Sequence, residues 1–166
     1  AWIEFARALV GPGRWAEPEA GFRRALAVNP NFADAHSNLG IILSETGRLA
    51  DAVAALECAI RSKPDHAEAH CNLGATLNHQ GKLDEAVLQY RKAIQKDARY
   101  GEAYLHFGEV LITQNKNEEA YRALTQAAEL MPGSEEAQSA LGRLALRMLL
   151  GIPQRPAIFY QTVDRI

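Results

Sequence analysis

Apolar residues in this chain recur with a helical period, and the helical stretches themselves recur every 34 residues. Ala35, Leu39 and Leu43 fall four apart, which places them on one face of a helix of about three turns. Leu49, Ala52, Val53, Leu56, Ala59 and Ile60 follow the i, i+3, i+4, i+7 pattern of a second amphipathic helix. Leu83, Ala86, Val87, Tyr90, Ala93 and Ile94 repeat that run with an offset of 34. The pattern predicts alternating first and second helices, the signature of a solenoid built from one supersecondary unit.

The punctuation fits this reading. Gly47 and Gly81 stand where a first helix must end, a place that favours a left-handed backbone, and Asn115, which tolerates it next best, holds the third such place. Gly13 takes that role in the first unit. Asp51, Asp84, Glu85, Glu118 and Glu119 open the second helices, where negative charge complements exposed amides. Pro30, Pro64 and Pro132 close them, with Ala98 filling the remaining place. Asn31 and Asp65, followed three residues on by Asp34 and Glu68, predict capping boxes, and Ser134 is a further candidate cap. Gly40, Gly74 and Gly108 sit in mid-helix at about 1 kcal/mol each relative to alanine, so a close helix contact must compensate. Ala52, Ala86 and Ala120 would supply the matching small surface, with Leu56, Tyr90 and Leu124 reaching into the gap.

The grid divides the chain into units 1–32, 33–66, 67–100 and 101–134 and a partial unit 135–150, leaving 151–166 as a capping or linker segment. The chain starts without methionine and partway through a unit, which suggests a piece of something longer. Leu141, Leu144, Leu146, Met148, Leu149 and Leu150 surround the last helix, so something is expected to cover it. Pro153 and Pro156 break the helix and release 157–166, for which three fates are open: folding back over the apolar end, packing on a second copy, or starting another domain.

These positions carry a family resemblance. His36-x-x-Leu39-Gly40-x-x-Leu43, then Ala52-x-x-x-Leu56-x-x-Ala59 and Pro64, resembles the tetratricopeptide repeat pattern. His70, Leu73, Gly74, Leu77, Ala86, Tyr90 and Ala93 repeat it, as do Tyr104, Phe107, Gly108, Leu111, Ala120, Leu124, Ala127 and Pro132. The first unit fits through Trp2, Phe5, Ala6, Leu9, Gly13, Phe22, Ala25 and Pro30, with Pro18 in the opening turn of a second helix, where its missing amide costs little. Histidine replaces the large aromatic in two units. The resemblance implies an all-α fold, a right-handed α-α superhelix of stacked hairpins whose first helices line a concave groove for a peptide or a partner helix.

Composition narrows the function. With 48% hydrophobic but only 7% aromatic residues and few β-branched runs, the chain suits a mostly helical protein. A net charge of −2 argues against nucleic acid, which needs a clustered basic surface, and against a membrane surface; no run approaches a spanning helix. Cys58 and Cys71 form no CxxC pair and read as small apolar fillers in a reducing, cytoplasmic setting. No cofactor, metal or catalytic constellation emerges: His79, His106 and Glu109 are too scattered for a metal site, and no Ser-His-Asp set, Cys-His pair or phosphate loop is present.

Periodicity assigns Asp34, Asn38, Ile41 and Glu45, then Glu68, Asn72, Ala75 and His79, then Glu102, His106 and Glu109, to the groove. Asn38 and Asn72 would project side by side, each amide offering a donor and an acceptor to an extended backbone. The segments ADAHSNLG and AEAHCNLG resemble repeats of O-linked N-acetylglucosamine transferases; the alternative is that asparagine is simply common at this register. Chaperone-binding members clamp a carboxylate with basic residues, but Ile3, Ser37 and Glu68 or Glu102 hold those places here. The row Asp34, Glu68, Glu102 and Glu136 could attract a basic peptide, or could merely complement helix dipoles. The expected function is a non-enzymatic interaction module for a protein or peptide; the alternatives are the substrate-targeting region of a larger glycosyltransferase or sulfotransferase, and a scaffold that self-associates through its apolar C-terminal end.

Overall fold

The computed structural model describes residues 15–151. Eight helices follow one another in this span: α1 (Ala16–Val28), α2 (Ala33–Glu45), α3 (Leu49–Ser62), α4 (Ala67–His79), α5 (Leu83–Lys96), α6 (Gly101–Thr113), α7 (Asn117–Leu130) and α8 (Glu135–Leu149). Residues 1–14, where Trp2 to Gly13 were assigned, and 152–166 lie outside the described residues. The helices pair as hairpins, α2 with α3, α4 with α5 and α6 with α7. Each second helix packs on the next first helix, and the first helices α2, α4, α6 and α8 touch in series. Packing is therefore between neighbours, as in a one-dimensional stack.

The tight hairpins rest on the mid-helix glycines. A Cβ on Gly74 would lie 2.8 Å from Tyr90 Cε1, and one on Gly108 would lie 2.7 Å from Leu124 Cδ2, closer than real Cβ atoms approach. At Gly40 the obstacle is Leu56 Cγ. Ala52, Ala86 and Ala120 are fully buried beneath the same contacts, and Leu56, Tyr90 and Leu124 are the buried knobs. A core strip of such residues runs from Leu56 to Leu144.

Helix ends are set locally. Gly47, Gly81 and Asn115 have φ of +77°, +75° and +60°, the left-handed turn that ends α2, α4 and α6. At the other end, Asn29 and Lys63 are extended, as a residue before proline should be. Asp97 adopts the same conformation before Ala98, and its Oδ1 accepts the Arg99 amide at 2.9 Å. That side-chain turn holds the loop where the proline is missing.

The capping boxes do not form. The N-caps of α2 and α4 are Phe32 and His66, and neither makes a side-chain cap bond. The helices start one residue later than Asn31 and Asp65 would require, so those side chains stand outside the cap position. Ser134 does cap: its Oγ accepts the Ala137 amide at 3.2 Å.

Candidate partner-binding face

The polar contacts between successive first helices join residues 35 apart, one position out of the 34-residue register. Asn72 Nδ2 on α4 donates to Ser37 Oγ on α2 at 3.3 Å. One turn and more along the same two helices, Ser44 Oγ and His79 Nδ1 are 3.5 Å apart. Asn38, Asn72, Ala75, His106 and Glu109 are half-buried, whereas Asp34, Glu45, Glu68, His79 and Glu102 are exposed. Ile41 is buried, at 8% exposure, so its side chain is taken up in packing instead of standing open to a ligand. The four histidines of the first helices split as their registers suggest. His70 is buried and its ring meets Gln89 Oε1 at 2.9 Å, and His36 bonds the Pro30 carbonyl at 2.9 Å; His79 and His106 stand on the other side with the row.

His106 is the most worked-on group of that row. Its ring lies 6.2 Å from that of Tyr90, and its Nδ1–H donates to Glu109 Oε2 at 3.3 Å. Burial alone would lower its pKa, but the Glu109 hydrogen bond and charge, helped by Glu136 and Glu102, outweigh burial and raise it above the ordinary histidine value. Beyond His106 the face opens into a cleft of about 340 Å³ between α6 and α8, lined by Glu109, Ile112, Ala140, Arg143, Leu144 and Arg147. Arg147 donates to Asn117 Oδ1 at 2.6 Å. The face therefore runs from a carboxylate-rich start to a guanidinium pair at its end. A larger hollow, about 680 Å³, lies between α1, α2 and α3 against Leu26, Leu39 and Ala55. None of the residues that line it belongs to the Asn72 row.

Four residues escaped the sequence reading. Arg143 lies one period after Glu109 and could have been placed by the grid; Arg147 sits one turn further. His66 and Tyr100, at N-cap positions, turn toward the acidic row instead of capping. His66 Nε2 is 3.1 Å from Asp34 Oδ1, close enough to pair but not aligned for a hydrogen bond. Tyr100 Oη donates to Glu102 Oε2 at 3.1 Å, and burial, Cys71, Glu102 and Glu68 hold its phenol well above the usual range. Cys71 is pushed up to about 12, chiefly by burial and then by Glu102 and Glu68, against a hydrogen bond from Tyr100. A thiol held protonated in this way is a filler and not a nucleophile. Among the described residues no three His, Cys, Asp or Glu side chains are grouped to hold a metal, and no helix is long and apolar enough to cross a membrane.

A linear stack of antiparallel helix pairs, joined through left-handed turns and glycine contacts, defines the class: a helical-hairpin solenoid. Three family models, each a tetratricopeptide repeat, match residues 22–54, 41–101 and 77–144. Over residues 22–144 the chain is an array of tetratricopeptide repeats. It is similar to the crystal structure of MamA, at 22% identity and a TM-score of 0.72, over 83% of this chain and 81% of that one. The Arabidopsis OM64 TPR domain matches at 23% identity and a TM-score of 0.66, over 69% and 95%. The first TPR of Spaghetti (RPAP3), bound to the HSP90 peptide SRMEEVD, matches at 20% identity and 0.67, over 70% and 93%. At such identities the likeness is one of fold. None of the curated proteins compared matches the chain.

Proposed function

We propose that this chain is a protein-interaction module that takes an extended peptide or a helix of a partner along the face of α2, α4, α6 and α8, and does no chemistry of its own. The observation that supports this reading is the Asn72–Ser37 bond, which joins polar side chains of neighbouring first helices one position out of equivalent register and leaves Asn38 and Asn72 recurring at the repeat spacing. Amides at a fixed spacing suit the backbone of an extended chain. That a domain of the same fold is bound to a peptide supports the mode but not the ligand. SRMEEVD is acidic, and the start of this face carries Asp34, Glu68 and Glu102. We infer a neutral or basic ligand over α2, α4 and α6, with any acidic group of the ligand at Arg143 and Arg147.

The resemblance of ADAHSNLG and AEAHCNLG to transferase repeats favours a second reading of the same face. There the row would select protein substrates for a catalytic domain elsewhere on a longer polypeptide.

Panning a displayed random-peptide library on the intact chain tests both. The expected outcome is a family of peptides enriched in Lys and Arg that bind the wild type and lose at least tenfold in affinity to Asn38→Ala/Asn72→Ala. Peptides that bind both proteins equally well would remove the row as the recognition element.

A further inference from the structure

Cations collect where the second helices α3 and α5 end. Arg61, Lys63, Lys96 and Arg99 are exposed there, and Lys92 is half-buried. Their placing follows from the repeat. Pro30, Asn31, His36, Cys58, Arg61 and Ser62 line a hollow of about 400 Å³ between α3 and the loop that joins α1 to α2. One period of 34 residues later, Lys92 and Lys96 hold the places of Cys58 and Ser62, against the loop that carries Lys63. Arg61 Nη2 donates to Cys58 Sγ at 2.9 Å. The ion pairs of arginine and lysine among the described residues lie elsewhere, at Arg23 and Arg48 with Glu19, at Arg48 with Asp51 and at Arg91 with Glu119. The five cations of the strip thus have no carboxylate partner among the described residues. Of the two acids in the same loops, Asp65 and Asp97, the second is engaged with the Arg99 amide. Helix dipoles do not account for the strip. A cation in the last turn complements the carbonyl end of a helix, which covers Arg61 and Lys96, yet α1 and α7 end without one. Lys92 lies a turn before the end of α5, and Lys63 and Arg99 lie beyond their helices.

We propose that this strip is a second docking surface, separate from the groove, for an extended acidic segment of a partner protein. Unpaired cations concentrated on one line, in a chain whose formal net charge is −2, give a local positive potential that a run of Asp or Glu complements. The neighbourhood sets the shape of the partner. Asp34, Glu68 and Glu102 stand in the first turns of α2, α4 and α6, and four-residue loops join α3 to α4 and α5 to α6, so the acidic row and the basic strip share one edge of the stack. A broad polyanion, such as an anionic membrane or a nucleic acid, meets the acidic row as well and is repelled by it. A single extended chain follows the strip alone.

The test is fluorescence anisotropy of labelled decaglutamate with the intact chain, with circular dichroism to confirm that each variant is folded. Arg61→Ala/Lys92→Ala/Lys96→Ala is expected to bind about tenfold more weakly than the wild type, and added salt to weaken the wild type toward it. Lys92→Arg/Lys96→Arg keeps the charge and should bind as the wild type does. So should Asn38→Ala/Asn72→Ala, which separates this surface from the groove. Equal binding by the triple variant and the wild type, or no binding of decaglutamate to either, would overturn the proposal. Tighter binding of oligothymidylate, or of phosphatidylcholine vesicles containing phosphatidylserine, lost in the triple variant, would overturn the acidic segment in favour of a polyanion. A mass in light scattering that rises with concentration, and does so only with the strip intact, would overturn it in favour of a second copy.

Discussion

Gly74 sets the distance between two helices by the methyl group it lacks. Alanine there would gain about 1 kcal/mol of helix propensity. Its Cβ would also sit 2.8 Å from the Tyr90 ring, a side chain only 1% exposed with little room to yield. Overpacking of a filled core costs about 1–3 kcal/mol, so crowding wins. Gly74→Ala is expected to destabilise the chain by a net of up to about 2 kcal/mol, seen as a lower melting temperature by circular dichroism. A higher one would mean the ring can move aside. His106 provides the second test at this scale. Its pKa is raised by Glu109 against burial, with Glu136 and Glu102 adding to the effect. The pair's contribution to stability is therefore complete below about pH 6.5 and fades as pH rises through the raised folded value. Glu109→Gln should lower the His106 pKa in an NMR titration and flatten that part of the stability profile. A titration curve that does not move would exclude Glu109 as the cause.

At the scale of the helix, endings are more specific than beginnings. Gly81 has φ of +75°, and a β-branched residue there is strained by about 1–2 kcal/mol. Gly81→Val should therefore destabilise the α4–α5 hairpin by that amount in urea unfolding, whereas Asn115→Gly should be neutral or slightly stabilising. Equal effects of the two would show that φ is not what the position selects. These endings, the hairpin pairing and the glycine sockets were all legible in the sequence, because each depends on residue types at a fixed offset. The beginnings were not. Asn31 and Asp65 have the composition of capping residues, but N-caps are decided by where the chain leaves the preceding helix, and this places Phe32 and His66 there instead. Nor could a helical wheel bury Ile41, since a wheel knows one packing face, while a first helix here touches its second helix and the neighbouring first helices as well. Arg143 and Arg147 were within reach of the grid but belong to a partial unit, where the pattern stops defining a face. His66 and Asp34 are 32 residues apart in sequence, and only the stacking of units makes them a pair.

Across the whole molecule, stacking between neighbours means that stability is a sum along the array and not a property of one centre. α1 buries no residue, whereas α4 buries Ala69, His70, Cys71, Leu73, Gly74, Thr76 and Leu77. α5 adds Ala86, Val87, Tyr90 and Ala93. Burial of apolar surface provides about 25 cal/mol per Å², so the hairpins from α2 onward, where α2 and α3 bury as much as α4 and α5, hold most of the free energy and the first described helix holds little. Local opening should follow the same gradient, because a segment with few buried contacts separates without disturbing the rest. Native-state hydrogen exchange is expected to show α1 opening at a small fraction of the global free energy, and α2 to α7 last. Gly74→Ala should then bring α4 and α5 down together while leaving the protection of α1 where it was. If every helix instead exchanged with one common free energy, the array would behave as a single cooperative core, and a partner gripping the first helices would have to order the whole chain or none of it.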